Sequence, residues 1–239
     1  MFLIKKEETK THKIYKFLSL NLKLRKRNTN NVYLVDKTGK KRKVRRIKGL
    51  KIKFAGSNSS VIIHSPIIKF KESFIKLATG CNVEIKSSSK FAEKLKILAE
   101  AENTSCYIGE EFLCRNGCLI LLHAEPNLSV SIGDNCMFGT NVLLRTSDAH
   151  TVIDRNTGEI LNYGKSITIG NHVWLAKDVS VLKGGVIADN TIVAANSIVT
   201  KPLNEEYAMY AGTPAVKKKD NLQWFVEGIL DYKKHKNIN

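Results

Sequence analysis

The chain has 239 residues, 43% apolar and 26% charged, which suits a folded domain with a core and excludes a disordered or collagen-like chain. No apolar run approaches the roughly 18 residues that a membrane-spanning helix needs. The net charge of +17 is uneven: residues 1–53 hold 19 Lys and Arg against Glu7, Glu8 and Asp36, and the rest hold 20 against 19.

In chain order, the first segment is therefore a basic extension, 1–53, densest at Lys23–Arg27 and Lys40–Lys48. Its opening Met1–Ile4 is too short for the apolar part of a secretory signal. Three roles fit such charge: a solvated extension, a dock for an anionic membrane face or acidic polysaccharide, and nucleic-acid binding. Few aromatics interleave with the charges, which argues against the last. Five cysteines without a Cys-x-x-Cys pair point to reduced thiols and a cytoplasmic chain, placed by the basic segment at the inner face of a membrane if anywhere.

From residue 54 a repeat begins faintly. Asn58 and Asn82 recur in similar small-residue contexts, and Asn103 follows at a similar interval. Within this stretch Lys90–Ala101 reads either as a short amphipathic helix or, from the alternation of Leu95, Ile97 and Ala99, as a strand. From residue 108 the repeat is plain. Counting in sixes gives Ile108, Cys114 and Ile120, then Ile132, Phe138 and Leu144 after a break at Pro126. A second run, Ile169, Leu175, Val181, Ile187, Val193 and Val199, has no miss. Most of the following residues are small, among them Gly109, Gly133, Gly139, Gly170 and Ala176.

A period of six is neither helical nor that of an ordinary strand. It predicts a three-sided solenoid in which each hexad gives one short strand and one corner, the aliphatic residue points inward, and stacked coils pair as parallel strands. Cys114, on the ruler, is expected to act as a small core residue. Leu144 and Ile169 fall one place out of phase with each other, so 145–166 is expected to leave the coil as a polar loop with a turn at Asn156–Gly158. Past the coils, Trp224, Phe225, Val226, Ile229 and Leu230 predict a short C-terminal helix whose apolar face caps the last coil. The expected divisions are thus 1–53, the solenoid 54–215 and a capping segment 216–239.

Several segments carry a resemblance. Ser131–Asn135, Thr146–His150, Ser166–Trp174, Ser197–Lys201 and Ala211–Ala215 resemble the hexapeptide-repeat acyltransferases, among them galactoside and maltose acetyltransferases and bacterial surface-polysaccharide O-acetyltransferases. The likeness is strong over 104–216. It implies an all-β fold, a left-handed parallel β-helix that departs from the usual right-handed crossover. It also implies a homotrimer with active sites between subunits, acetyl-CoA as acyl donor, and no metal.

Acyl transfer to a hydroxyl needs a base for the proton, a donor for the oxyanion and a leaving thiol. His150 matches the family's catalytic histidine by its loop and by its spacing to Trp174 downstream. Asp148 and Glu159 are candidates to orient its ring. Asn116 is a weaker match to the family's acceptor-positioning asparagine. Trp174 matches the tryptophan beside the reacting groups. Ala176, Ala194 and Ala195 would let a pantetheine arm approach the backbone, and Thr200, Lys201, Lys217 and Lys219 match positions near the coenzyme's phosphates. Leu175-Ala176 replaces the family's more usual Ile-Gly. His172 reads as structural; His64 and His123 are expected to be ordinary surface residues. The function expected is O-acetylation of a sugar hydroxyl on a surface glycan such as a capsule or lipopolysaccharide. The alternatives are N-acetylation of an amino sugar or amino acid, and a non-catalytic basic glycan- or nucleic-acid-binding solenoid. A carbonic anhydrase-like hydratase would need three imidazoles around zinc, and no closely spaced His pair exists.

Overall fold

A computed structural model describes residues 5–8, 12–17, 20–25 and 29–238. Lys5–Glu8, His12–Phe17 and Leu20–Arg25 form an antiparallel three-stranded sheet. The densest early charge, Lys23–Arg27, lies partly outside the described residues, and its side chains wholly so.

From Asn31 onward the chain winds around three faces. The first sheet runs from Lys41–Lys43 and Asn31–Val35 through Ser60–His64, Asn82–Ile85, Ser105–Ile108, Ser129–Ile132 and Ile167–Ile169 to Val186–Ile187. The second runs from Lys69–Lys71 through Phe91–Glu93, Leu113–Asn116, Met137–Thr140, Trp174–Leu175, Ile192–Val193 and Met209–Ala211 to Val216–Lys219. The third begins at Leu50–Phe54 and continues through Ser73–Leu77, Lys96–Ala99, Leu119–Leu122, Leu143–Arg145 and Ser180–Val181 to Ile198–Val199. Neighbours within these sheets are parallel except at Lys41–Lys43 and Val216–Lys219, which close the lower and upper ends as hairpins.

The register turns the six-residue ruler into three interior columns. Ile63, Ile85, Ile108, Ile132, Ile169 and Ile187 stand directly over one another on the first face. Ala92, Cys114, Phe138, Leu175 and Val193 do so on the second, and Ile75, Ile97, Ile120, Leu144, Val181 and Val199 on the third. All of them are buried. Each such aliphatic or aromatic side chain contributes roughly 1.5–3 kcal/mol by leaving water, and Phe112 meets Phe138 edge-on at 5.0 Å. A second inward residue two places earlier, as at Cys106, Val130, Ile167, Val173 and Val179, fills the space between columns.

Corners are made by residues in the left-handed region three places after the ruler residue: Asn135, His172 and Asn190 on one edge, Asn141, Asp178 and Asn196 on another. Short polar side chains tolerate that conformation best. Gly133 sits where neighbouring coils approach closely; a Cβ there would come 2.6 Å from the Gly170 carbonyl oxygen.

Two sequence expectations change and one open alternative is decided. The coils start at Asn31 rather than 54, because Asn31–Val35 pairs with Ser60–His64 and Leu50–Phe54 with Ser73–Leu77. Lysines alternating outward with Leu50, Ile52 and Phe54 disguise a strand as a charge run. Lys90–Ala101 is strand, not helix. The C-terminal helix, Ile229–Lys236, buries nothing and does not cap the coils; Ile229 and Leu230 are 78% and 81% exposed. Val216–Lys219 covers the upper edge instead, and Trp224 turns back to stack on His172 at 4.4 Å, its Nε1 donating to the His172 carbonyl at 2.9 Å. His172 is thus structural, as the sequence suggested.

Candidate active site

The steps along the first-face column locate the loop. They are nearly even from Ile63 through Ile85 and Ile108 to Ile132. The next, from Ile132 to Ile169, is much longer, and the last, to Ile187, is the shortest of all. The surplus leaves at the corner between the third and first faces, after Leu143–Arg145, where residues 146–166 project outward.

Thr146 and Ser147 are buried at the loop's base, and Glu125, from the corner one coil below, ties its two ends. The Glu125 carboxylate accepts from Ser147 Oγ at 2.9 Å and from the Gly164 N–H at 2.7 Å. A side chain at 164 would meet that carboxylate at 2.8 Å. Further out, Ile153 and Ile160 form an antiparallel bridge and the Gly158 N–H donates to the Asp154 carbonyl, giving the expected turn.

His150 sits on the descending limb, exposed, and lines a crevice of about 210 Å³ with Glu125, Ser147, Ile160, Asn162 and Tyr163. Its backbone is fixed: Asn162 Nδ2 donates to the His150 carbonyl at 2.7 Å, and Asn162 Oδ1 accepts from the Val152 N–H at 2.8 Å. Among the described residues none bonds the His150 ring. Asp148 makes no bond to the ring; its Oδ2 accepts from Lys183 Nζ and from Asn162 Nδ2 at 3.1 Å. The Lys183 bond, followed by that of Asn162, holds the Asp148 carboxyl below its usual range. Lys183 also donates to the Asn162 carbonyl at 2.8 Å, and Arg145 to the carbonyls of Ser147 and Asp148. Glu159 is exposed and its carboxylate has no partner among the described residues.

A second crevice, of about 540 Å³, lies on the second face, lined by Trp174, Arg115, Gly139, Thr140, Ala176 and Phe225 among others. Trp224 stands 5.9 Å from Trp174 and backs it. Asn116 ends a strand two coils below Trp174, opposite Thr140, on this side rather than near the His150 loop. Gly139, Ala176, Ala194 and Ala211 follow the ruler residues of successive coils and make a column of small side chains climbing past Trp174 from the coil below it. Ala195 is exposed beside it. At the top, Lys217 bonds Glu205 at 2.6 Å, which raises its pKa, and Lys219 faces Met209 across the hairpin.

The expected residues therefore divide. Trp174, Asn116, Ala176, Ala194, Ala195, Lys217 and Lys219 belong to the second face or its edge, whereas Thr200 and Lys201 lie exposed at the corner that carries the His150 loop. Neither crevice holds both His150 and Trp174. The clamp residues Glu125, Asn162 and Lys183, and Arg115, escaped the sequence reading. Two of the ordinary-surface histidines also differ from expectation. His64 Nε2 is bonded to Glu84 at 2.8 Å. His123 has a buried Nδ1 with no partner among the described residues, and burial followed by nearby Arg145 lowers its pKa.

Neither a protein-family profile nor a curated protein matches the chain in sequence. Among solved structures the chain is similar to the polySia-specific acetyltransferase NeuO, with 25% identity and a TM-score of 0.68 over 88% of this chain and 90% of that one. It is also similar in fold to the polysialic acid O-acetyltransferase OatWY, with 24% identity and a TM-score of 0.58 over 89% and 96%. The three-sided coil that the hexads predict is thus a left-handed parallel β-helix of the acetyltransferase type, as the resemblance implied.

Proposed function

We propose that the chain transfers an acetyl group from acetyl-CoA to a hydroxyl of a glycan, with His150 as general base. The observation that carries this reading is an exposed imidazole whose main chain is held by Asn162 while its ring nitrogens stay free for a substrate proton. NeuO, an acetyltransferase of the same fold, supports the reaction class.

Acetyl-CoA supplies an activated thioester carbonyl. The column Gly139, Ala176, Ala194 and Ala211 gives its linear arm a track without Cβ branches to collide with, and Lys217 and Lys219 stand at the upper end where phosphates would lie. Trp174 stands beside the lower part of the track, where the thioester carbon meets the acceptor. His150 takes the hydroxyl proton as the sugar oxygen attacks and returns it to the departing thiolate.

His150 and Trp174 occupy different sides of one coil, so a complete site needs the His150 loop of one copy beside the Trp174 crevice of the next. A homotrimer with three such sites meets that need, with Thr200 and Lys201 reaching the coenzyme from the His150 side. In such a site His150→Ala lowers acceptor-dependent thiol release by a factor on the order of 10²–10⁴. Acetyl-CoA binding, read by calorimetry on the same variant, stays within a few-fold. Undiminished turnover in the variant removes His150 from the mechanism.

A further inference from the structure

We propose that Arg115 reads an anionic group, a carboxylate in the first instance, on the acceptor, so that the enzyme selects acidic over neutral glycans. This rests on the acetyl-transfer reading above and names the substrate class of the same crevice.

Leu113 pairs with Met137 and Met137 with Trp174, so the Arg115 strand lies two coils below Trp174. At about 4.8 Å per strand the separation is about 10 Å, the reach of a sugar residue and its substituents. From Gly139, one coil below Trp174, upward the same side carries the small-residue column and the lysines assigned to the coenzyme. The lower rim is what remains for the acceptor.

Arg115 is exposed on that rim and, among the described residues, has neither a hydrogen bond nor an ion pair. The other charged groups of the crevice are engaged: Glu227 accepts from His235 Nδ1 at 2.7 Å, and Lys177 pairs with Asp178 at 3.5 Å. A guanidinium left free in a crevice that a tryptophan also lines presents a planar fork suited to a carboxylate, with the ring two strands above it for a sugar's C–H face. Below, Glu93 is neutralised by Lys71 at 2.7 Å. Beyond it the coils turn strongly cationic, residues 37–71 holding twelve Lys and Arg and no Asp or Glu. A chain of acidic sugars leaving the crevice downward therefore passes a neutralised pair and then a strongly cationic segment.

The test uses the full chain with three probes of equal length: a sialic acid oligomer, the same oligomer with its carboxylates methyl-esterified, and a neutral maltooligosaccharide. Binding is measured by calorimetry and transfer by kinetics, for wild type, Arg115→Gln and Arg115→Lys. The expected result is that wild type binds the acidic oligomer at least tenfold more tightly than the other two. Arg115→Gln removes that preference and raises KM for the acidic acceptor at least tenfold, Arg115→Lys keeps part of it, and KM for acetyl-CoA does not move. Equal affinity for all three probes, an Arg115→Gln variant that retains the preference, or a loss confined to acetyl-CoA overturns the assignment. If Arg115-dependent binding is found without transfer to any probe, the subsite stands and the catalytic reading is what fails.

Discussion

Lys183 does more for the candidate site than its place in the sequence suggests. It joins Asp148 to the Asn162 carbonyl, and Asn162 in turn holds the carbonyl of His150. Removing it in Lys183→Met frees one wall of the loop, and misplacing a base by an ångström costs about 10- to 100-fold in rate. Stopped-flow and steady-state kinetics should show that loss in kcat, with KM for acetyl-CoA unchanged; an equal fall in coenzyme affinity would mean a wider collapse. The pH behaviour follows from sign. Asp148 has a depressed folded pKa, so its contribution is present above the unfolded value of about 3.9 and is lost as pH falls through the folded one. Above about pH 5 the clamp is fully ionised. Asp148→Asn therefore lowers the rate without changing the shape of the pH–rate profile above that point.

At the scale of elements, the coil interior and the C-terminal helix make opposite predictions. Phe138→Ala empties a fully buried place against Phe112 and costs about 3–5 kcal/mol in denaturant unfolding. Leu230→Ala, on a helix that buries nothing, changes stability by less than about 0.5 kcal/mol. A comparable loss in both would restore a capping role to the helix. These two elements also explain what the sequence could convey. The ruler from Ile108 to Val199 was legible because a six-residue corner leaves no freedom in which residues face inward. Ala92 and Leu95 were harder, since the early coils run longer than three hexads and blur the period, and lysines between Leu50 and Phe54 hid the first coil. The helix was misjudged because apolar residues after Trp224 look like a buried face, whereas only Trp224 itself finds a place, on His172. In the site, His150 and Trp174 were marked by motif and spacing. Glu125, Asn162, Lys183 and Arg115 were not, because their neighbours are set by coil stacking, up to 39 residues apart in sequence, which no local pattern records.

For the whole molecule, the separation of His150 from Trp174 is the consequential feature. A site shared between copies predicts complementation: His150→Ala and Trp174→Ala chains are each strongly impaired alone. Co-expressed, they recover about one quarter of the wild-type rate, the chance that one trimer seam receives both intact residues. No recovery, with mixed assemblies shown by mass spectrometry, would place the whole reaction within one copy. The most direct measurement follows the acetyl group itself. The purified chain is incubated with acetyl-CoA carrying an isotopic label and with an acidic glycan, and the product is examined by mass spectrometry before and after mild alkali. The account predicts one labelled acetyl per modified sugar, held as an alkali-labile ester, formed by wild type and not by His150→Ala. Label that resists alkali as an amide, or glycan that acquires none, would contradict it.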